Sequence, residues 1–444
     1  MRLTNSGISS APLKPGLKSP KHLILAIAGL ACALLSATQP VFAQEKQGNT
    51  YYVRSTIGDD MQDGRTPQSA WKTVARGARV LGPGDTLIIG PGLYREHVRI
   101  ETSGLPDRPI RISGDPSGEL TGDPPGSVMM SGSIPVEESD FEPDGAPGVY
   151  RIPSDTLVYG AVEMDGTQHR YRNVREPKSD VPYVQRVRNT SSTAWWEKDD
   201  PYVYIHTSDD KPPTEHEIEL IEKHSAFFLK GASYVWFSDL TTRHYGDGTI
   251  YFQDGSDHGR VSNCILYGGR HGVRILGSKH VEILDNIMML NENAGAYFLR
   301  QSENGRAVGN ISYDNAVGLR WGSESSNGFA GNNVLVDNSD AGMGIEKVVD
   351  HIAADNLFWG NTPQLRVIGA TFESNNNCFE AAEGSGTPFT ATWDLVNQYA
   401  SFEQLIQARG QELNSRTGDC GITFERLDVH KLHSDSLSYP DSGD

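Results

Sequence analysis

Six side chains in the middle of this chain fall at spacings that would put chemistry on one surface. Arg274, Tyr297 and Arg320 follow one another at intervals of 23 residues, and His271 stands just before the first of them. Glu324 and Glu346 come next, 22 residues apart. Guanidinium forks bind carboxylates through paired N–H donors. Tyrosine and histidine exchange protons with a bound molecule, and two carboxylates on one face can serve as acid and nucleophile. Such groups act together only if the backbone returns to the same place once per interval.

A repeat of that length is present. Between Asp239 and Asn377 the anchors Ser262-Asn263-Cys264-Ile265, Asp285-Asn286-Ile287, Gly309-Asn310-Ile311, Asn332-Asn333-Val334, Asp355-Asn356-Leu357 and Asn376-Asn377-Cys378 recur at intervals of 23, 24, 23, 23 and 21. Each opens a short apolar strand. A second strand, opened by Gly272, Gly295, Gly318 or Gly342, follows each anchor, and a third precedes the next, as in His280 to Leu284. Three strands and three turns per repeat make one coil of a parallel β-helix, in which successive strands pair at roughly 4.8 Å. The Asn tolerates a left-handed turn, and its amide bonds backbone groups and the Asn stacked above. No leucine-rich frame or propeller blade signature is present.

In the Gly-opened strand Val273/Ile275, Ala296/Phe298, Leu319/Trp321 and Met343/Ile345 are expected to point inward. Arg274, Tyr297, Arg320, Gly344 and Arg366 then form an outward column, with His244, Tyr245, Arg270 and His271 leading into it. Glu324 and Glu346, at nearly the same place in adjacent coils, would stand roughly 5 Å apart, the separation of a retaining glycosidase pair.

Ahead of the repeats, Trp71, Val74, Ala75, Ala78 and Leu81 have helical spacing, and a short amphipathic helix there would cover the open first coil. Tyr52-Val53, Gly58, Asp59, Gly64, Pro67, Trp71, Thr73, Gly84-Asp85-Thr86, Gly92, Tyr94, Glu96 and Pro109-Ile110 resemble the N-terminal cap of the pectin-lyase-like superfamily, which holds polysaccharide lyases and β-helical glycoside hydrolases. With the coils, the resemblance covers most of residues 50–380 and implies an all-β, right-handed parallel β-helix; it leaves the reaction open. Residues 133–225 break the period and read as an inserted β subdomain similar to that of the β-helical xylosidases. The expected organisation is a leader at 1–43, cap and first coils at 50–132, the insert at 133–225, the repeat core at 226–385 and a C-terminal cap and tail at 386–444. A helix opening at Phe402 would close the last coil.

Two chemistries fit the outward column. In β-elimination on a uronate, Arg274 and Arg320 would hold the sugar carboxylate while Tyr297 or His271 exchanges the proton. Calcium held by Asp247, Asp254 or Asp257 could assist, although such loop aspartates also simply form turns. In retaining hydrolysis, Glu324 and Glu346 would be the pair. Gly318 to Glu324 and Met343 to Glu346 are similar to the catalytic coils of the β-helical xylosidases, where an Asp nucleophile faces a Glu acid. Glu346 matches the acid, and Gly322 stands where the nucleophile would be. A third reading is a non-catalytic glycan-binding scaffold, with the same side chains merely solvating the sheet. Trp195-Trp196 could stack on sugar rings or pack in a strand.

Composition narrows the partners. The chain has 39 Lys and Arg against 57 Asp and Glu, a net charge of −18. Such a body repels nucleic acid and anionic lipid and disfavours anionic glycans unless arginines or a bound cation make the cleft locally positive; the resemblance implies a polysaccharide partner, met by a monomer. Residues 1–43 carry four basic and no acidic side chains, then the apolar run Leu23 to Leu35 and Val41-Phe42-Ala43. That order reads as an export leader, with an uncleaved anchor as the alternative and a secreted or periplasmic product as the expectation. Of the three later cysteines, Cys264, Cys378 and Cys420, the last two lie near the C-terminal end and are the expected disulfide. Among these motifs there is no zinc spacing, phosphate loop, nucleophile elbow or HExxH.

Overall fold

A computed structural model describes residues 48–432 except 166–167, 174–179, 197–199, 382–388, 395–396, 422–423 and 430. The proposed leader lies outside the described residues. No helix among them is long and apolar enough to cross a membrane.

The chain winds into a solenoid whose coils each give one strand to three ten-stranded sheets. One coil illustrates the plan: Arg260–Ser262 joins the first sheet, Ile265–Tyr267 the second and His271–Leu276 the third. Neighbouring coils pair in parallel, and among the described residues of the three sheets only the closing strand of the third, Asn397–Tyr399, is antiparallel. Alternation sends one set of side chains inside. Val261, Ile283 and Ala307 from the first sheet meet Leu266 and Met288 from the second and Val273, Ile275, Ala296 and Phe298 from the third, all buried. Each large apolar side chain so covered contributes roughly 1.5–3 kcal/mol.

The turns divide between two residues the work expected of one. The left-handed conformation falls on Asn263, Asp285, Gly309, Asn332, Asp355 and Asn376, all with positive φ. The stacked amides belong to the residue that follows. Cys264 N–H donates to Asn286 Oδ1, and from there Asn286, Asn310, Asn333 and Asn356 each donate their backbone N–H to the Oδ1 of the Asn one coil on, at 2.8–3.1 Å. Asn263 therefore does not belong to the ladder, and its place is taken by Cys264. The column ends where Asn377 Nδ2 donates to the buried Glu412 carboxylate, 3.0 Å away. A second ladder, Asn291, Asn315, Asn338 and Asn361, runs beside it at the next corner.

At the N-terminal end the helix is shorter than its apolar pattern suggested, Val74–Ala78 only. Thr73 Oγ1 and the Glu96 carboxylate accept its first N–H groups. Trp71 stays outside it and stacks on Tyr51. At the other end the helix Phe402–Arg409 begins where expected, buries Leu405 and stops at Gly410 in the left-handed region. Cys378 and Cys420 form the expected disulfide, and Cys264 is free and buried.

Between Val128–Ser131 of the second sheet and Phe227–Lys230 of the third, the chain leaves the solenoid. It builds a four-stranded antiparallel sheet and a five-stranded sheet around their own core of Ile152, Ala161, Val203, Ile205 and Leu220. Ion pairs join this insert to the coils. Glu219 accepts from Arg95 at 2.8 Å and from Arg243 at 3.4 Å, and Arg170 reaches Glu292 at 2.9 Å. Burial pushes the Glu219 carboxyl up, but Arg243 and Arg95 outweigh it and hold it at about 2.

Candidate active site on the third sheet

Four glycines at the strand starts of the third sheet face the interior and let successive coils approach closely. A Cβ on Gly272, Gly295, Gly318 or Gly342 would lie 2.5–2.8 Å from a carbonyl oxygen of the next coil. The strand pairing steps over each of them, from His271↔Ala294 to Val273↔Ala296, for example. The strands therefore start one residue earlier than the glycine. The following register puts Tyr251, Arg274, Tyr297, Arg320, Gly344 and Arg366 opposite one another in sequence. The expected column is thus part of a single row of outward side chains, preceded by Tyr251, Phe228 and Arg99.

Within this row arginines and tyrosines alternate and stack. The Arg274 guanidinium lies 4.9 Å from the Tyr251 ring centre, and that of Arg320 lies 4.7 Å from the Tyr297 ring centre. Arg274, Arg320 and Arg366 each also have a carboxylate. Arg274 bonds Asp247. Arg320 bonds Glu346 at 2.8 Å and Asn293 at 3.2 Å. Arg366 bonds Asp340 and, at 3.0 Å, the other oxygen of Glu346. A Cβ at Gly322 would stand 3.2 Å from the Tyr297 hydroxyl, so the missing side chain leaves room for that hydroxyl.

His271 closes the row from behind. It is 2% exposed, its ring centre is 5.5 Å from that of Tyr297, and its Nε2 is 3.9 Å from Asp247. Burial first, then Arg274, Arg270, Arg320 and Arg170, hold its pKa well below the ordinary value, so the ring is neutral. Its Nδ1 has no hydrogen-bond partner among the described residues. Two expected neighbours are elsewhere: His244 and Tyr245 are buried, and Tyr245 donates to Glu96 O.

Glu324 is not brought to Glu346. Glu346 ends a strand of the third sheet, whereas Glu324 sits in the turn after the neighbouring strand, with φ of 68°. Its N–H bonds Lys347 O, and its exposed carboxylate meets only Gln301 Nε2, at 3.4 Å, among the hydrogen bonds of the described residues. With Trp321 opposite Ile345, the residue beside Glu346 is Gly322, and Glu324 falls two positions later in a turn with left-handed Ser323 and Glu324, one residue longer than the turn through Lys347. Asp247, Asp254 and Asp257 do not converge on a cation site either: Asp254 takes Gln253, Asp257 takes the Lys279 N–H, and Asp247 takes Arg274. Among the described residues, the carboxylates and imidazole that do cluster are Glu163, Asp165 and His216, in the insert.

Beside the row, the insert and the coils enclose a cleft of about 1010 Å³ lined by Tyr159, Trp195, Trp196, Arg270 and Asn293. Trp195 stacks on Tyr183, 4.0 Å between ring centres. A smaller hollow of about 380 Å³ lies over His97, His224, Phe228 and Tyr251. Residues 225–391 match the family model described as right handed beta helix region. The chain is a right-handed parallel β-helix. This β-helix is similar to XylC in complex with xylose, at 15% identity and a TM-score of 0.58, over 75% of this chain and 66% of that one. It also matches pectate lyase Pel9A (11% identity, TM-score 0.44, 78% and 74% covered) and the lacto-N-biosidase of Eubacterium ramulus (10%, 0.40, 75% and 63%). No curated protein matches it. Sequence reasoning on the β-helix missed the counter-ion roles of Asp247, Asp340 and Glu346. Their only signal was that an acidic residue stands near each arginine once the coils are in register.

Proposed function

We propose that this β-helix cleaves glycosidic bonds in a uronate-bearing polysaccharide by β-elimination, on the outer face of its third sheet. The observation that carries the reading is the Tyr297 hydroxyl, held over Gly322 in a row where Arg274 and Arg320 occupy the neighbouring coils. In this reaction the proton on C5 of the uronate is removed and the C4–O bond breaks. A C4=C5 double bond forms, and the leaving oxygen gains a proton. Arg320 would take the uronate carboxylate in place of Glu346 and stabilise the charge that develops on it as the proton leaves. Tyr297 would exchange the proton, and neutral His271 behind it adds no charge to oppose that exchange.

Hydrolysis is the second reading, and its support is specific: Glu346 and Asp340 both bind Arg366, which puts two carboxylates at one place on the sheet. One assay separates them. The protein is incubated with acidic and neutral polysaccharides, with and without calcium, following reducing ends together with the ultraviolet absorbance of an unsaturated uronate. Elimination raises both signals, and Ala in place of Tyr297 or Arg320 abolishes them. Reducing ends alone transfer the chemistry to Glu346. Silence in both, with glycan affinity retained, overturns catalysis and leaves a binding scaffold.

A further inference from the structure

The first sheet has an outward row of its own, and it is built differently. Pairing brings Arg111, Trp236, Arg260, Glu282, Arg306 and Phe329 opposite one another, one per coil. Arg111 and Arg260 lie 5.2 and 4.3 Å from the Trp236 ring centre, and Arg306 lies 4.9 Å from that of Phe329. In the turn beside this row Tyr234, His258 and His280 stack nearly parallel, at 4.5 and 4.7 Å. The stack and the middle of the row, Trp236 to Arg306, line a hollow of about 280 Å³.

From Arg111 to Arg306 the row is mainly basic: three arginines and the two neighbouring histidines stand beside one carboxylate, Glu282, which pairs with Arg260 at 2.6 Å, and the row's second carboxylate, Glu373, lies two coils beyond Phe329. Arg111 and Arg306 are exposed and have no carboxylate partner among the described residues. On the third sheet Arg274, Arg320 and Arg366 each have an acid, while here two of three are left open, in a chain of net charge −18. The arginines recur at every second coil, roughly 9–10 Å apart from the strand spacing. A linear chain lying along the solenoid axis would meet them in turn.

We infer that the first sheet carries a second binding site, separate from the site on the third, for a carboxylate-bearing glycan chain. The glycan class rests on the proposed function; the site itself rests on the row. A nucleic acid is disfavoured because the acidic body around so narrow a strip repels a strand of high charge density. Burial, and then His280, lower the pKa of His258, while Asp257 and Glu282 oppose them. Lys279, Arg260 and Tyr234 complete the polar surroundings of that ring. A bound carboxylate would favour its protonation, so affinity should rise as pH falls below the ordinary histidine value of 6.5.

The test is equilibrium binding of polygalacturonate to full-length protein carrying Arg320→Gln, which disables the third-sheet row. Binding should persist in that background. It should weaken by about tenfold or more on adding Arg260→Gln and Arg306→Gln, the scale of one or two charge-assisted contacts. Arg111→Gln, at an exposed position on the sheet surface, should weaken it in the same direction and guards against misfolding of the double variant. Affinity should fall with salt and rise on acidification. Loss of binding with Arg320→Gln alone overturns the second site while leaving the elimination reading intact. Equal binding of neutral xylan, or tighter binding of single-stranded DNA, overturns the ligand class.

Discussion

Replacing Glu346 by Gln keeps the side-chain shape and removes one negative charge from between Arg320 and Arg366. The carboxylate oxygens are 2.8 and 3.0 Å from the two guanidinium groups, and the side chains are 21%, 19% and 13% exposed. At that length and depth each contact couples by roughly 1–3 kcal/mol, well short of the dry-interior limit because water still screens the groups. In elimination the substrate carboxylate must displace Glu346 from Arg320, so that coupling opposes binding. Glu346→Gln should therefore lower KM for a polyuronate by about tenfold, equivalent to about 1.4 kcal/mol, and change kcat by less. Were Glu346 the proton donor of a hydrolysis, the same change would reduce kcat by about 10²–10⁴. Initial rates across a range of polyuronate concentrations decide between the two. A hundredfold fall in kcat at unchanged KM would refute the clamp and the elimination reading with it.

Asn333→Ala removes the acceptor of the Asn310 N–H and the donor to Ala307 O in a buried column. It should cost about 3 kcal/mol, read as a lower urea midpoint at unchanged slope. Reducing the disulfide between Cys378 and Cys420, 42 residues apart, should loosen the C-terminal end by up to about 4 kcal/mol. Hydrogen exchange should then rise around Phe402–Arg409 while the central coils stay protected. His216 is opposed by burial, yet Asp165, Asp209 and Glu163 raise its pKa above 6.5. A raised folded-state pKa gives stability present below the unfolded value and lost as pH rises through the folded one. The insert should therefore be more protease-resistant at mildly acid than at alkaline pH, and His216→Asn should erase the difference.

The solenoid was legible because one coil is a local object: inward apolar pairs, a turn residue and an Asn recur every 22–24 residues through the central coils, and each repeat confirms the last. The outward row followed from strand alternation alone. What failed depends on single residues at corners. The interval from Asn263 to Asn286 looked regular, but Asn263 is a turn residue and Cys264 holds the ladder position, a shift of one that composition hides. Glu324 was misplaced because its turn is one residue longer than that after Glu346 and Gly322 holds the matching position, and Asn and Gly are not the only residues that adopt the left-handed conformation here. The second Asn ladder was visible five residues after the first in each coil, yet a single anchor per coil already explained the period. The ion pairs of Arg274, Arg320 and Arg366 join residues 26 or 27 positions apart or, for Glu346 and Arg366, 20, and no local pattern announces them.

The strand spacing of the third sheet works as a ruler with fixed graduations. A side chain on this face can be relocated along the axis only by a whole rung, since a single-residue slip within a strand would turn it into the core. Residues may be added at the corners, as after Trp321, without moving any rung. Duplicating the coil that carries Tyr297 would separate Arg274 from Arg320 by one more graduation; deleting it would set them side by side. The distance between the two cations is thus inherited as a whole number of coils, and a chain of this kind can retune the reach of its outer row only in discrete steps.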